Sequence, residues 1–435
     1  MRHDAIVVGG GMAGLAAAFR LRARGLDTVL LEAAPQLGGV VGTDVAGPDG
    51  AYRFERGPSS LRGSSPAIAS LMHAVGVAGQ RVEASPDAKL RWLWSDGKRQ
   101  AFPGGPRDLA TTRLMSARGK LRLALEPFLP RWRGEPGDTT VADFLTARLG
   151  SEAVRAFVYP FATGVYAGDP RRLGVEAFSF IEAAARAGGV MRAASTVKSA
   201  GSGMWSFRDG LGILPEGLAR ALGTAARTNA PVARITPGTG MHTVALASGE
   251  ELQAPRVVMA TSWQASQRLM LGVPSIAIGP VVTVGLGIAA SDFADPPRGF
   301  GLLVSPDSPL GDTIGLVFGS CIFAGRAPAG KLALTVILGG VGHPGVADRD
   351  DDALVGDALQ ALERTFGLRG SPEAVRLTRV PGGIAQIAPG HRARMAEAVA
   401  RLPKGIAWAG GWTDNPALEA TTMSGLRAAD RVTQA

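Results

Sequence analysis

Apolar and polar positions follow three different rhythms along the chain, and each rhythm predicts an element. Asp4-Ala-Ile-Val-Val8 and Thr28-Val-Leu-Leu31 are short, unbroken apolar runs, the pattern of strands buried on both faces. Between them Leu15, Ala18, Phe19 and Leu21 recur at helical spacing up to Gly25, which reads as a C-terminal cap. From about residue 105 to 200, Ala, Leu and Phe return at spacings of three and four, predicting a run of helices. Residues 232–261 revert to strand–turn–strand character. Residues 280–340 alternate between Gly/Pro turns, predicting an antiparallel sheet. Asp351–Phe366 reads as a helix, Gly405–Ala409 as a strand, and Ala420–Thr433 as a closing helix. Breaker clusters at Pro103–Pro106, Pro127–Gly137 and Ala200–Gly203 punctuate the chain, and no internal repeat appears.

Composition narrows the class. A chain of 435 residues holds two or three structural units. With 46 % hydrophobic and 19 % charged residues it is not a disordered polymer. The single cysteine, Cys321, excludes an intrachain disulfide framework and a cysteine-rich zinc site. Five histidines, none paired at ligand spacing, predict no metal. There is no apolar run of 18 residues, and Met1–Asp4 passes directly into a strand, unlike a secretion signal. The net charge is +9, from 46 Lys and Arg against 37 Asp and Glu. The arginines form no nucleic-acid motif and only three tyrosines exist for base stacking, which argues against a nucleic-acid partner.

The sharpest chemistry lies after the first strand. Gly9-Gly-Gly11-Met12-Ala13-Gly14 fits G-x-G-x-x-G and opens the predicted helix, with Glu32 closing the second strand eighteen residues beyond Gly14. Gly9 permits the tight turn and Gly11 lets the backbone approach a pyrophosphate. Gly14 lets helix and strand pack closely, and the helix N-terminus faces the anion. Glu32 would accept from a ribose hydroxyl. The arrangement predicts a dinucleotide site.

Gly38-Gly39, Gly42-Thr43 and Phe54-Glu-Arg-Gly57-Pro58-Ser59-Ser60 follow, and with them the chain resembles the flavin-dependent amine oxidase superfamily. Gln36 stands where that family usually has an arginine. Further segments resemble the protoporphyrinogen oxidase branch: Arg118–Phe128, Tyr159-Pro-Phe-Ala-Thr-Gly164-Val-Tyr-Ala-Gly168-Asp-Pro170, Ser206–Pro215, Phe323–Pro328, Ala385-Gln386 and Gly390-His391. The resemblance implies an α/β fold. A discontinuous Rossmann-like FAD-binding domain would comprise 1–85, 205–275 and 380–435, and an antiparallel-sheet substrate domain 86–104 and 276–379. A helical domain would span 105–204, with a membrane-facing surface as one reading of its basic stretch. It implies six-electron oxidation of protoporphyrinogen IX to protoporphyrin IX, in three two-electron steps with FAD as cofactor and oxygen as acceptor. Coproporphyrinogen III, or another substrate of the superfamily, is the alternative.

Carried over position by position, the resemblance places Gly9, Gly11, Met12, Ala13, Gly14, Glu32, Gly39, Gly57, Pro58, Ser59, Ser60, Val232 and Gly410 at FAD. Leu418, Glu419 and Ala420 would meet the flavin end where the last helix begins. Arg91 would hold a substrate propionate, Leu303 and Ile337 would grip the macrocycle, and the Gly164 backbone would lie near the reacting carbon. Between Arg91 and Arg133 ten basic residues face three acids, with Leu121, Leu123, Leu125, Phe128 and Trp132 interleaved. That pattern fits either an amphipathic surface for anionic lipid or a solvated helical face. The expected location is the cytoplasm, with a peripheral seat on the inner face of the cell membrane as the variant of that reading. A homodimer is compatible with it.

Overall fold

The structure, a computed structural model, describes residues 1–196, 203–380 and 382–434. Of the Ala200–Gly203 breaker only Gly203 lies among them. The elements that position the site begin with β1 (Ala5–Val8), α1 (Met12–Ala23), β2 (Thr28–Leu31), β3 (Leu61–Arg62), α2 (Pro66–Ala74) and β4 (Arg81–Glu83). Then come β5 (Trp92–Ser95), β6 (Lys98–Ala101), α3 (Ala117–Ala124), α4 (Tyr159–Tyr166), β7 (Met204–Phe207), β8 (Ala226–Arg227) and β9 (Val257–Met259). Last are β10 (Val281–Ala289), β11 (Gly301–Val304), β12 (Thr313–Val317), β13 (Lys331–Gly339), α5 (Asp351–Phe366), β14 (Ala374–Arg379), β15 (Ile406–Trp408) and α6 (Leu418–Gln434).

A five-stranded parallel sheet, ordered β8-β2-β1-β9-β15, collects strands from the start, middle and end of the chain. Every residue of β1 and β2 is buried, which is why their sequences run apolar without alternation. Helix α1 lies over this sheet with Met12–Ala18 and Leu21 buried. Its other side meets α6, where a Cβ on Gly425 would collide with the Ala13 carbonyl. Small residues let the two helices approach at backbone distance. As read from the sequence, the first helix stops at a left-handed glycine: Gly25 has φ +81° and donates to the Arg22 carbonyl at 2.8 Å. Helix α6 starts two residues earlier than its sequence pattern suggests.

The second sheet has seven strands, ordered β14-β10-β13-β12-β11-β5-β6. Its strands pair antiparallel except β11 with β5, which run parallel, so the sheet is mixed rather than antiparallel throughout. The reason is connectivity. The β5–β6 hairpin is separated from β11 by about 200 residues, and a connection of that length imposes no antiparallel turn. Period-two alternation gives this sheet two faces. Val282, Val284, Leu286, Leu334, Val336 and Leu338 pack against Leu354, Ala358, Leu362 and Phe366 of α5. On the opposite face Leu303, Thr335 and Ile337 stay half-exposed.

Candidate active site

Two clusters of sequence-predicted residues form, one at each sheet. At the first, β1 ends in Gly9, whose φ of +105° and tight seat under Ala260 leave no room for a side chain. A Cβ on Gly14 would overlap the Gly9 carbonyl oxygen, so Gly14 brings α1 down onto the turn. Gly11 is different: a Cβ there would meet nothing within 4 Å. Gly11 is also the N-cap of α1 and offers no side chain to its first amides, leaving an open approach to the positive end of the helix. A phosphate fits that cradle.

The second glycine pair closes on the first. Gly38 donates to the Gly10 carbonyl at 2.8 Å, and Gly39, at φ +61°, lies so that a Cβ would stand 3.2 Å from the Gly11 Cα. Glu32 accepts from the Gly10 amide at 2.5 Å and the Ala34 amide at 2.8 Å, which fixes its carboxylate beside the turn. Val232 begins a strand two residues after Ala230, whose amide donates to the Glu32 carbonyl. Gly410 follows β15 and donates to Ser424 Oγ on α6 at 2.8 Å. Gly57 packs against the Val40 carbonyl and leads through Pro58, Ser59 and Ser60 into β3. At the start of α6 the Glu419 carboxylate accepts the Ala67 and Ile68 amides at 2.7 and 3.2 Å, capping α2. That side chain is therefore committed to a helix end.

Sequence reasoning missed Arg56. Its guanidinium bonds to Asp44 at 2.7–2.8 Å and donates to Gln36 Oε1 at 2.9 Å, beside Gly42. A cation thus reaches the second glycine loop from the Tyr52–Glu55 strand, next to the glutamine that replaces the usual arginine. The adjacent Glu55 is buried, and desolvation outweighs Arg326, Thr43 and the Leu211 amide in pushing its pKa up to about 7. The signal was present, an arginine twelve residues from a buried aspartate, but it required the strand pairing Asp44 with Phe54 to be read.

The second cluster occupies the open face of the seven-stranded sheet. Leu303 pairs with Gly315 across β11–β12, and Gly315 pairs with Ile337 across β12–β13, so the three lie in one row. Helix α4 crosses this row at Gly164, where a Cβ would come within 2.5 Å of Leu303 Cδ2 and 3.0 Å of the Ile314 carbonyl. Gln386 holds the end of α4, its Nε2 donating to the Tyr166 and Ile384 carbonyls at 3.0 Å. Arg91, immediately before β5, lies with its guanidinium 5.4 Å from the Phe300 ring centroid. Burial, then the charge of Arg62, hold its pKa below the ordinary guanidinium value. Among the described residues the Arg91 guanidinium has no carboxylate partner.

The basic stretch divides. Trp132 packs edge-on against Phe144, Arg99 is bonded to Asp295 and stacked on Trp92 and Phe366, and Arg122 caps the Ala147 and Arg148 carbonyls. These three serve the interior. Leu121, Leu125 and Phe128, on and after α3, remain 61 %, 45 % and 83 % exposed.

Residues 12–433 match the family described as flavin containing amine oxidoreductase. The chain belongs to that family. Its cofactor is FAD, and the glycine cradle at α1 has the open backbone approach that a dinucleotide pyrophosphate requires. Among relatives of this flavin oxidoreductase is a chloroplastic protoporphyrinogen oxidase of Oryza sativa subsp. japonica. It is 29 % identical, over 92 % of this chain and 82 % of that one. A coproporphyrinogen III oxidase of Bacillus subtilis is 25 % identical over 91 % and 90 %. A solved structure from Exiguobacterium, provisionally assigned as a protoporphyrinogen oxidase, superposes with a TM-score of 0.86 at 24 % identity. That likeness covers 100 % of this chain and 98 % of the other, and it shows the shared fold.

Proposed function

We propose that this flavin oxidoreductase oxidises a porphyrinogen to the corresponding porphyrin, with protoporphyrinogen IX as substrate and oxygen as the final acceptor. One observation carries the reading: the row Leu303–Gly315–Ile337 with Gly164 above it, and an arginine without a carboxylate partner just before the neighbouring strand β5. A porphyrinogen is a broad apolar ring edged with carboxylates. The open face supplies an oily wall, and Arg91 supplies a cation that no protein carboxylate satisfies. FAD, held by Gly9, Gly11, Gly14, Glu32 and Gly39, supplies the two-electron acceptor that no side chain can provide.

The residues of the chain perform the remaining tasks. Arg91 orients the substrate through a carboxylate, and Leu303 and Ile337 exclude water from one ring face. Gly164 keeps its backbone close because any side chain there would displace Leu303. Coproporphyrinogen III is the second reading, supported by the Bacillus relative. We also propose that the exposed Leu121, Leu125 and Phe128, with Arg118 and Lys120, touch anionic lipid at a membrane surface. No described helix is long and apolar enough to cross a membrane.

The test mixes the flavin-loaded protein, without oxygen, with each reduced tetrapyrrole. The flavin absorbance should bleach, and porphyrin fluorescence should appear once air is admitted. A flavin that stays oxidised with either porphyrinogen overturns the reading.

A further inference from the structure

Arg62 and Arg91 arrive from different sheets yet border the same apolar cluster. Arg62 ends β3, directly opposite Met204 of β7. Met204 packs in a small cluster that includes Phe300 and Val317, and Phe300 carries the Arg91 guanidinium over its ring. Cross-strand partners keep their side chains on one face about 5 Å apart, so Arg62 lies beside Met204, and Met204 and Phe300, with Arg91 over the Phe300 ring, pack against the same buried cluster. Leu61, pointing the other way, is buried in the core that surrounds α1. Arg62 therefore stands two residues beyond Ser60, between the cofactor loop and the sheet face.

Neither guanidinium has a hydrogen bond or a carboxylate partner among the described residues. Glu83 of β4, the other strand paired with β7, is already bonded to Arg81 at 2.7–2.9 Å. Arg20, Arg56, Arg227, Arg349 and Arg392, by contrast, each hold an acid. The charge of Arg62 is felt at Arg91, so the two guanidiniums are near enough to repel. A ligand bearing two carboxylates pairs both guanidiniums, whereas a ligand bearing one pairs only one of them.

We propose that Arg62 is a second substrate-binding residue, forming with Arg91 a clamp for two neighbouring carboxylates on one edge of the porphyrinogen. The proposal rests on the porphyrinogen reading above and goes beyond it. Arg91 alone fixes one point of the ring, leaving it free to swing. Two arginines fix an edge, so the ring carbon presented to Gly164 is chosen by where the carboxylates lie. Porphyrins whose two carboxylate arms sit on adjacent pyrroles are the class this edge selects.

The test titrates flavin-loaded protein with protoporphyrin, its monomethyl ester and its dimethyl ester, following quenching of porphyrin fluorescence. Arg62→Gln should weaken the dicarboxylate about tenfold, the lower end for a charge-assisted hydrogen bond at an exposed position, and the diester less than about twofold. Arg62→Lys, which keeps the charge, should recover part of the loss and stands in if Arg62→Gln fails to retain flavin. With porphyrinogen as substrate, the loss should appear in KM before kcat. Equal dicarboxylate affinity in wild type and Arg62→Gln overturns the clamp, and so does equal weakening of acid and diester. Wild-type protein that binds none of the three porphyrins overturns the porphyrinogen reading itself, a result distinct from an Arg62 variant indistinguishable from wild type.

Discussion

Around the start of α1 the proposed cofactor cradle is built of backbone: the Gly9–Gly14 turn, the Gly38-Gly39 pair folded onto it, and the first amides of the helix. Across the seven-stranded sheet the proposed substrate wall is built of side chains, Leu303, Ile337 and Arg91, contributed by segments that meet only in the folded chain. The first region is built by leaving atoms out, and the second by placing atoms. A backbone cradle is unforgiving, because every Cβ added to it competes with the ligand or with its own supports. A side-chain wall is graded, because each residue contributes its own contact.

The contrast is broken most severely at the glycines. Gly14→Ala should destabilise the protein by about 3 kcal/mol or more, since its methyl meets a backbone carbonyl that cannot step aside. Gly11→Val enters open space and should spare the fold while excluding flavin. Thermal melts of the flavin-free proteins together with the flavin absorbance after reconstitution separate the two. If Gly11→Val binds FAD normally, the cradle is elsewhere.

On the sheet side, Arg91→Ala should keep its flavin and raise KM about 30-fold, corresponding to about 2 kcal/mol for a partly buried charge-assisted contact. An unchanged KM would leave the wall purely apolar. A smaller effect sharpens the packing argument. Gly164→Ala should lower kcat/KM about tenfold by pushing Leu303 aside, and Gly164→Ala/Leu303→Ala should recover part of it. Additive losses would show that the two residues do not share one space.

The smallest effect probes the seam between the regions. Glu55 has its pKa raised to about 7 from 4.5, so the folded state prefers it protonated. Its contribution to stability is complete below pH 4.5 and lost as pH rises through about 7. Glu55→Gln should flatten that part of a Tm-against-pH curve by about 2 to 4 °C. A curve identical to wild type would mean that Arg326 holds Glu55 ionised throughout.

Legibility followed the same division. The glycine turn, the flanking strands, Glu32 and α5 could be read directly, because each depends on neighbours within about 30 residues. Arg91, Leu303, Ile337 and Gly164 came only from resemblance, since nothing local in Leu90-Arg-Trp or Gly-Leu-Leu303 marks a substrate wall. The expectation of an antiparallel sheet missed β5 entering parallel to β11. The capping of α2 by the Glu419 carboxylate was not legible either, because its partner lies more than 350 residues away in sequence.

By itself the sequence determined the α/β class, the nucleotide turn and the positions where a side chain is forbidden. These are set by local backbone sterics and by burial on both faces of short strands, which contiguous residues encode. Only the tertiary structure decided which face of the second sheet stays open, which arginines are left without acids and which acid is spent on a helix end. Those outcomes depend on pairing across hundreds of residues, where charge and contact are settled by who arrives beside whom.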